Sequence, residues 1–291
     1  MTGVHGLVGQ YLFRILGSWK GEVVISGKGP GRLPEHDFIY EELDITDADG
    51  IRAIFEKYQP SVVIHSAAMA QPDQCELNQP DTLDVNVKAT QNLLEASARS
   101  QAFFVYMSTD FVFSGEEGPY TEDDFPAPVN FYGRSKLMAE ELVRASGVPS
   151  AIIRTALVYG NVIVGTRPNV ISWVRDALEN NRPINVVSDQ LRTPTYAGDL
   201  AAALITIAER KAAGTWHIAG KDVLSPWEMA MKVADHLNLD AGLITKVDAS
   251  VFTQPAIRPL RTPLLIDKAK RELDYKPLSF EEGMIKVLNG D

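Results

Sequence analysis

Tyr132 and Lys136, four residues apart in Tyr132-Gly133-Arg134-Ser135-Lys136, have the types and the spacing for proton transfer. On a helix such a pair shares one face. An isolated phenol titrates near ~10, too high for exchange at neutral pH, but a neighbouring ammonium stabilises the phenolate and makes the tyrosine a usable acid or base. The same spacing is common on exposed helix faces, so its surroundings matter. Ser108-Thr109-Asp110 follows the apolar run 102–107, and a hydroxyl there could bond a substrate carbonyl or simply cap a turn. A third feature is Gly3-Val4-His5-Gly6-Leu7-Val8-Gly9, a G-x-x-G-x-x-G run leading straight into a helical stretch. Glycine permits positive φ and close backbone approach, and the free N–H groups of a helix start suit a pyrophosphate; glycines at a helix start also serve as plain turn residues.

Positioning these groups requires an alternation of buried strands and amphipathic helices, which the sequence supplies. Residues 21–26, 61–65, 102–107 and 150–154 are short runs rich in Val, Ile and Phe, a composition that suits strands buried on both faces. Helical patterns fall at 7–16, 47–58, 81–99 and 131–146, with Asp47 and Asp81 at expected caps and Gly147-Val148-Pro149 as a stop. Strand–helix alternation predicts an α/β fold, a Rossmann-type doubly wound parallel sheet whose ligands bind at the carboxyl ends of the strands. Ser108–Asp110 falls at that edge. Where such a fold reads the adenosine ribose, after the first of these strands, the chain has Ser26-Gly27-Lys28 with Arg32 following and no acid. Basic groups accommodate a 2′-phosphate, so NADP(H) is preferred over NAD(H), which stays possible; Lys28 and Arg32 can also be read as solvated loop charges.

Beyond Tyr159 the texture changes. The pattern predicts a loop over 160–168, helices at 169–180, 197–209 and 226–237, and strands at 184–187 and 215–218, before a tail with prolines at 226, 255, 259, 263 and 277. Residues 1–160 are expected to form the nucleotide-binding domain, elements near 169–219 to return to it, and 220–291 to form a smaller C-terminal substrate lobe. The 291 residues carry 28 Lys+Arg against 38 Asp+Glu, a net charge of −10 without a basic run, which argues against nucleic acid. The lone Cys75 allows neither an internal disulfide nor a cysteine-paired zinc site, and no apolar run approaches a membrane span. A cytoplasmic protein without a metal is the expectation. His5 reads as a loop filler, His65 as a satisfied core histidine, Glu122-Asp123-Asp124 as a solvated run, Cys75 as structural, and Trp173, Trp216 and Trp227 as packing residues.

Taken together, the glycine run, Ser66-Ala67-Ala68 after a strand, Asn86 in VNVKAT, Ser108-Thr109-Asp110 and Tyr132-x-x-x-Lys136 resemble the extended short-chain dehydrogenase/reductases. Within them the chain resembles the dTDP-4-dehydrorhamnose reductases: STDFVFSG, PVNFYGRSKLMAE, IRTALVYG and RTPTYAGDLA follow in order, as do DQCE and RPLRTPLL. The resemblance covers nearly the whole chain. It implies an NADPH-dependent reductase of a nucleotide-linked 4-keto-6-deoxysugar, with Tyr132 as proton donor, Lys136 holding the nicotinamide ribose, and Thr109 binding the substrate oxygen. Gly3, Gly6, Leu7 and Gly9 would contact the pyrophosphate, Lys28 the 2′-phosphate, and Asp44 and Ile45 would flank the adenine. Ser66, Ala67, Ala68 and Asn86 would line the cofactor, and Asp110 and Arg192 would reach the substrate. Relatives suggest a homodimer formed through helices such as 81–99 and 131–146.

Phe111 stands where that family usually has Tyr, and Leu157 where it has Trp, both near the sugar. The glycine run, moreover, normally follows a buried apolar strand, whereas Met1 and Thr2 alone precede Gly3 here. A natural start several residues upstream is the expectation. Two other readings stay open: a nucleotide-sugar epimerase or dehydratase with bound NAD, and a non-catalytic regulatory subunit like the methionine adenosyltransferase beta subunit.

Overall fold

The computed structural model describes residues 1–165 and 169–290. Its strands are β1 (Val24–Gly27), β2 (Ile39–Glu42), β3 (Val62–His65), β4 (Phe103–Thr109), β5 (Ser150–Thr155), β6 (Val158–Tyr159), β7 (Ile184–Val187), β8 (Thr195–Tyr196), β9 (Gly214–His217) and β10 (Ile244–Val247). The helices are α1 (Leu7–Ile15), α2 (Ala48–Tyr58), α3 (Pro72–Leu77), α4 (Gln79–Leu83), α5 (Ala89–Arg99), α6 (Phe131–Ala145), α7 (Val170–Glu179), α8 (Ala197–Arg210), α9 (Pro226–Leu237), α10 (Asp267–Leu273) and α11 (Phe280–Leu288).

The α/β reading is realised as a parallel sheet in two pieces. β3, β4, β5 and β9 are hydrogen-bonded in that order and β1 pairs with β2, all in parallel. Strand β4 shows why its sequence is apolar throughout. Phe103, Val105 and Met107 enter one core and Phe104 and Tyr106 the other, so both faces are covered. Helices α1 and α8 pack together on one side; α2, α5 and α6 form the other layer. Asp47 caps α2 as read, its carboxylate accepting from the Asp49 and Gly50 amides.

Several details differ from the sequence reading. The helix expected at 81–99 begins at Gln79, with Pro80 in its first turn, and passes through a π-helical turn, Asp84–Lys88, that carries Asn86. β2 had no strand signal, because its side chains are half-exposed rather than alternating. β9 joins the main sheet, whereas β7 pairs with β10. Trp216 is buried as expected of a packing residue, but Trp173 is 40% exposed. Of the loop read over 160–168, residues 166–168 lie outside the described residues. Among the described residues no helix is long and apolar enough to cross a membrane.

Between β1 and β3, Thr2 pairs with Ser26 on one side and His65 on the other. The Met1 ammonium donates to Val24 O at 2.7 Å, Ser26 N to Met1 O at 2.8 Å, and Thr2 N to Ile64 O at 3.0 Å. Below these bonds is a cavity of about 240 Å³ lined by Val24, Val62, Ile64, Phe55, Leu16 and Leu93, among others.

Candidate active site

The carboxyl edge of the sheet brings the sequence-predicted groups together in layers. The glycine loop packs on the turn after β3: Gly3 has a φ of 79°, and a Cβ there would lie 2.6 Å from Ala67 N, which leaves no room for a side chain. Gly6 stands at the N-cap of α1 and no side chain caps that helix start. Ser66 Oγ donates to Thr2 O at 2.8 Å, joining the same turn to the loop. Asn86 holds the next residue along. Its Oδ1 accepts from Met69 N at 2.8 Å, and its Nδ2 donates to Met69 O and to Ser135 Oγ, both at 3.0 Å. The π-helical turn thus ties the turn after β3 to helix α6.

Just beyond β1, Lys28 Nζ lies 2.7 Å from Asp44 Oδ2 on the surface. The Lys28 hydrogen bond, with bonds from Thr46, holds the Asp44 carboxyl down at about 2. His5 stacks on Tyr40 with ring centroids 5.7 Å apart, and its Nε2 is buried without a hydrogen-bond partner. Ile45 belongs to the core. An uncapped helix start, a glycine loop packed tightly on its neighbour, an orphaned imidazole nitrogen and an exposed lysine fit the phosphates of a dinucleotide.

The proton-transfer candidates sit on α6 and the end of β4. Asn130 caps α6, accepting from Gly133 N at 2.9 Å. A Cβ at Gly133 would lie 2.1 Å from the Phe111 carbonyl oxygen, so the glycine of Tyr-Gly-x-x-Lys lets the helix touch the turn after β4. Tyr132 meets Phe111 edge to face, centroids 5.8 Å apart. Lys136 is buried with Nζ 4.1 Å from the centre of the Tyr106 ring, and burial lowers its pKa to about 7. Thr109 Oγ1 accepts from Phe111 N at 3.2 Å and donates to Asp110 Oδ1 at 3.1 Å.

The model matching the RmlD substrate binding domain spans residues 1–290 of the chain. The chain belongs to that family. Among its relatives is the probable low-salt glycan biosynthesis reductase Agl14 of Haloferax volcanii, 31% identical over 98% of this chain and 95% of that one. Another is the methionine adenosyltransferase 2 subunit beta of Rattus norvegicus, 31% identical over 86% of this chain and 75% of that one. The solved dTDP-4-dehydrorhamnose reductase of Bacillus anthracis, in complex with NADP, superposes with a TM-score of 0.86 at 26% identity, covering 100% and 98% of the two chains.

In this member of the RmlD family, Asp110 and Arg192 are buried rather than open to solvent. Thr262 Oγ1 donates to Asp110 Oδ2, and Arg192 Nε lies 3.5 Å from that oxygen. Arg192 also donates to the carbonyls of Leu191, Pro259 and Leu260, so its guanidinium secures the C-terminal segment instead of facing a cleft. Burial raises the Asp110 carboxyl above its ordinary value, with the neighbouring guanidinium and hydroxyls opposing. Arg258, unflagged by the sequence reading, pairs with Asp73 through both nitrogens at 2.9 and 2.8 Å, and Asn130 donates to Ile257 O at 2.7 Å. Glu122 is not merely solvated: its carboxylate accepts from His217 N at 3.0 Å. His65 is satisfied as expected, between Thr2 Oγ1 at 2.7 Å and Thr90 Oγ1 at 3.2 Å, and burial holds it neutral with a pKa of about 3. Cys75 is buried, and burial raises its thiol. Among the described residues no cluster of His, Cys, Asp or Glu side chains could hold a metal.

Asn86 answers both polar groups of Met69. Asn86→Ala should cost about 1 kcal/mol in denaturant unfolding, because the half-buried amide and carbonyl of Met69 lose their side-chain partner. It should also weaken dinucleotide binding, measured by fluorescence titration, by releasing the turn at Ser66–Ala68.

Proposed function

We propose that the protein is an NADPH-dependent reductase acting on a nucleotide-linked 4-keto-6-deoxysugar. What carries this reading is the seating of α6, which bears Tyr132 and Lys136, against the turn after β4, which follows Thr109, in a chain of the RmlD family. The NADP complex of the Bacillus anthracis relative supports the cofactor, and Lys28 with Arg32 would hold its 2′-phosphate. NADH stays a weaker alternative. Asp44 and Ile45 would flank the adenine.

NADPH, when bound, supplies the hydride for the carbonyl carbon. The chain's own residues handle the oxygen. Thr109 turns its hydroxyl from Asp110 to the substrate oxygen and orients the carbonyl. Tyr132 donates its phenolic proton to that oxygen as negative charge develops. Lys136, charged, stabilises the phenolate left behind and anchors the nicotinamide ribose. Asp110 and Arg192 act on the substrate side by fixing the segment around Pro259 and Thr262. The protein works in the cytoplasm as a homodimer in this reading.

A second reading has a specific observation behind it. The beta-subunit relative covers most of this chain, and Phe111 and Leu157 replace the expected sugar-facing tyrosine and tryptophan. In that case the protein regulates a methionine adenosyltransferase and turns over no sugar.

Steady-state assays separate the two. NADPH oxidation on adding a nucleotide-linked 4-keto-6-deoxysugar is expected, and Tyr132→Phe should lower kcat by on the order of 10²–10⁴ with circular dichroism unchanged. Silence across a panel of keto-sugar nucleotides, together with co-purification of a stoichiometric synthetase, would replace the first reading by the second. Lys28→Glu should reduce the preference for NADPH over NADH by on the order of tenfold, read as the ratio of kcat/KM values. An unchanged ratio would remove Lys28 from the 2′-phosphate site.

A further inference from the structure

Helix α6 carries a third ionisable residue on the stripe that holds Tyr132 and Lys136. Glu140 lies one helical turn beyond Lys136 and is fully buried. Its carboxylate is saturated. Oε1 accepts from Ser108 Oγ at 2.6 Å and Arg154 Nε at 3.0 Å, and Oε2 from Arg154 Nη2 at 2.8 Å and Arg144 Nη2 at 2.7 Å. Ser108 and Arg154 are register partners across the β4–β5 ladder, so the carboxylate is docked on two central strands at once. Ser108 immediately precedes Thr109.

A buried ion pair is weak evidence for stability, since apolar residues of similar volume often serve as well. The surroundings of Lys136 suggest what the charge does. The titratable groups that face it are Glu140 on the same helix, Cys75 on α3, His65 on β3 and Tyr106 on β4. Burial holds the histidine neutral and raises the cysteine and Tyr106. Burial also works against the Glu140 anion, but bonds from Arg154, Ser108 and Arg144 outweigh it and leave the carboxyl below its ordinary value. Glu140 is therefore the negative charge that opposes the desolvation of Lys136.

We propose that Glu140 is the positioning residue of the Tyr132–Lys136 pair: its carboxylate stands as the counter-charge one helical turn from the buried Lys136, and its bonds to Ser108 and Arg154 set α6 against Thr109. The inference rests on the roles given to Tyr132 and Lys136 above.

The test compares Glu140→Gln with Glu140→Gln/Arg154→Met, because the single change leaves the buried Arg154 guanidinium without its carboxylate partner and so threatens the fold itself. Thermal unfolding is followed against pH alongside kcat. In the wild type, Lys136 sits near 7 when folded and near its ordinary 10.5 when unfolded. Above pH 7 the unfolded chain binds the extra proton, so this group's contribution to stability rises with pH between those values. Without the Glu140 charge the folded value falls further and the rise starts earlier. The onset of that rise should move to lower pH in the variants by on the order of one unit. The alkaline fall in kcat should move with it, the low-pH plateau of the double variant being nearer wild type. A constant offset at every pH in both proteins would make Glu140 a structural residue and overturn the proposal. Lys136→Met tells the two ideas apart: loss of the stability rise with turnover intact would sink the catalytic reading while leaving Lys136's titration in place.

Discussion

The seating of α6 on the ends of β4 and β5 is the constraint from which the geometry of the site follows. Gly133 abuts the Phe111 carbonyl at one end, and Glu140 bonds the Ser108–Arg154 pair two turns further on. Two contacts at different heights fix both the axial position and the rotation of a helix. Since Tyr132, Lys136 and Glu140 recur at the helical repeat, fixing one places the others. Other parts of the edge are then hung from the same helix. Ser135 receives Asn86 and with it the turn after β3, Phe131 N donates to Glu76 of α3 at 2.8 Å, and Asn130 reaches the C-terminal segment at Ile257.

That junction also sets the electrostatics. Around Lys136 the structure places groups that burial keeps uncharged, such as His65, and one anion tied to arginines. In a medium of low effective dielectric an ammonium acts strongly on a nearby phenol, and competing charges would blunt it. Keeping His65 neutral matters in a second way. An imidazole held between Thr2 and Thr90 joins the first residues of the chain to α5 without adding a cation next to Lys136. Asp110 follows a similar rule, enclosed by Thr109, Thr262 and Arg192, so that little free charge reaches the hydroxyl of Thr109.

The parts of this arrangement legible in the sequence are those written in local pattern. Apolar runs gave away β3, β4 and β5, since strands covered on both faces leave no room for polar alternation. Tyr132 and Lys136 were visible because four-residue spacing is a property of the helix alone. Glu140 has the same spacing and passed unremarked: one of two adjacent acids on an amphipathic helix reads as surface until Ser108 and Arg154, from two other elements, are seen to enclose it. Arg192 was legible as a charged residue near the site but not as one directed inward, because its carbonyl partners at Pro259 and Leu260 lie far along the chain. β2 escaped for the opposite reason, an edge strand whose half-exposed side chains follow no clear period. That Thr2 bridges β1 and β3 is announced by no local pattern.

Leu157 carries the last step. Its φ is 41°, a left-handed conformation that costs a non-glycine residue roughly 1–2 kcal/mol. The side chain is 43% exposed, so core packing does not repay that cost. The neighbouring backbone is nonetheless held firmly: Thr195 N donates to Leu157 O at 3.2 Å and Thr195 Oγ1 to Ala156 O at 2.7 Å. Leu157 follows Thr155, the register partner of Thr109, by two residues, which puts the strained position on the same carboxyl edge. Strain maintained next to candidate reacting groups, at an exposed apolar side chain, is the kind of backbone cost that sites keep for function. Under the function proposed above, leucine in place of the expected indole changes the side chain that this strained position offers to the substrate.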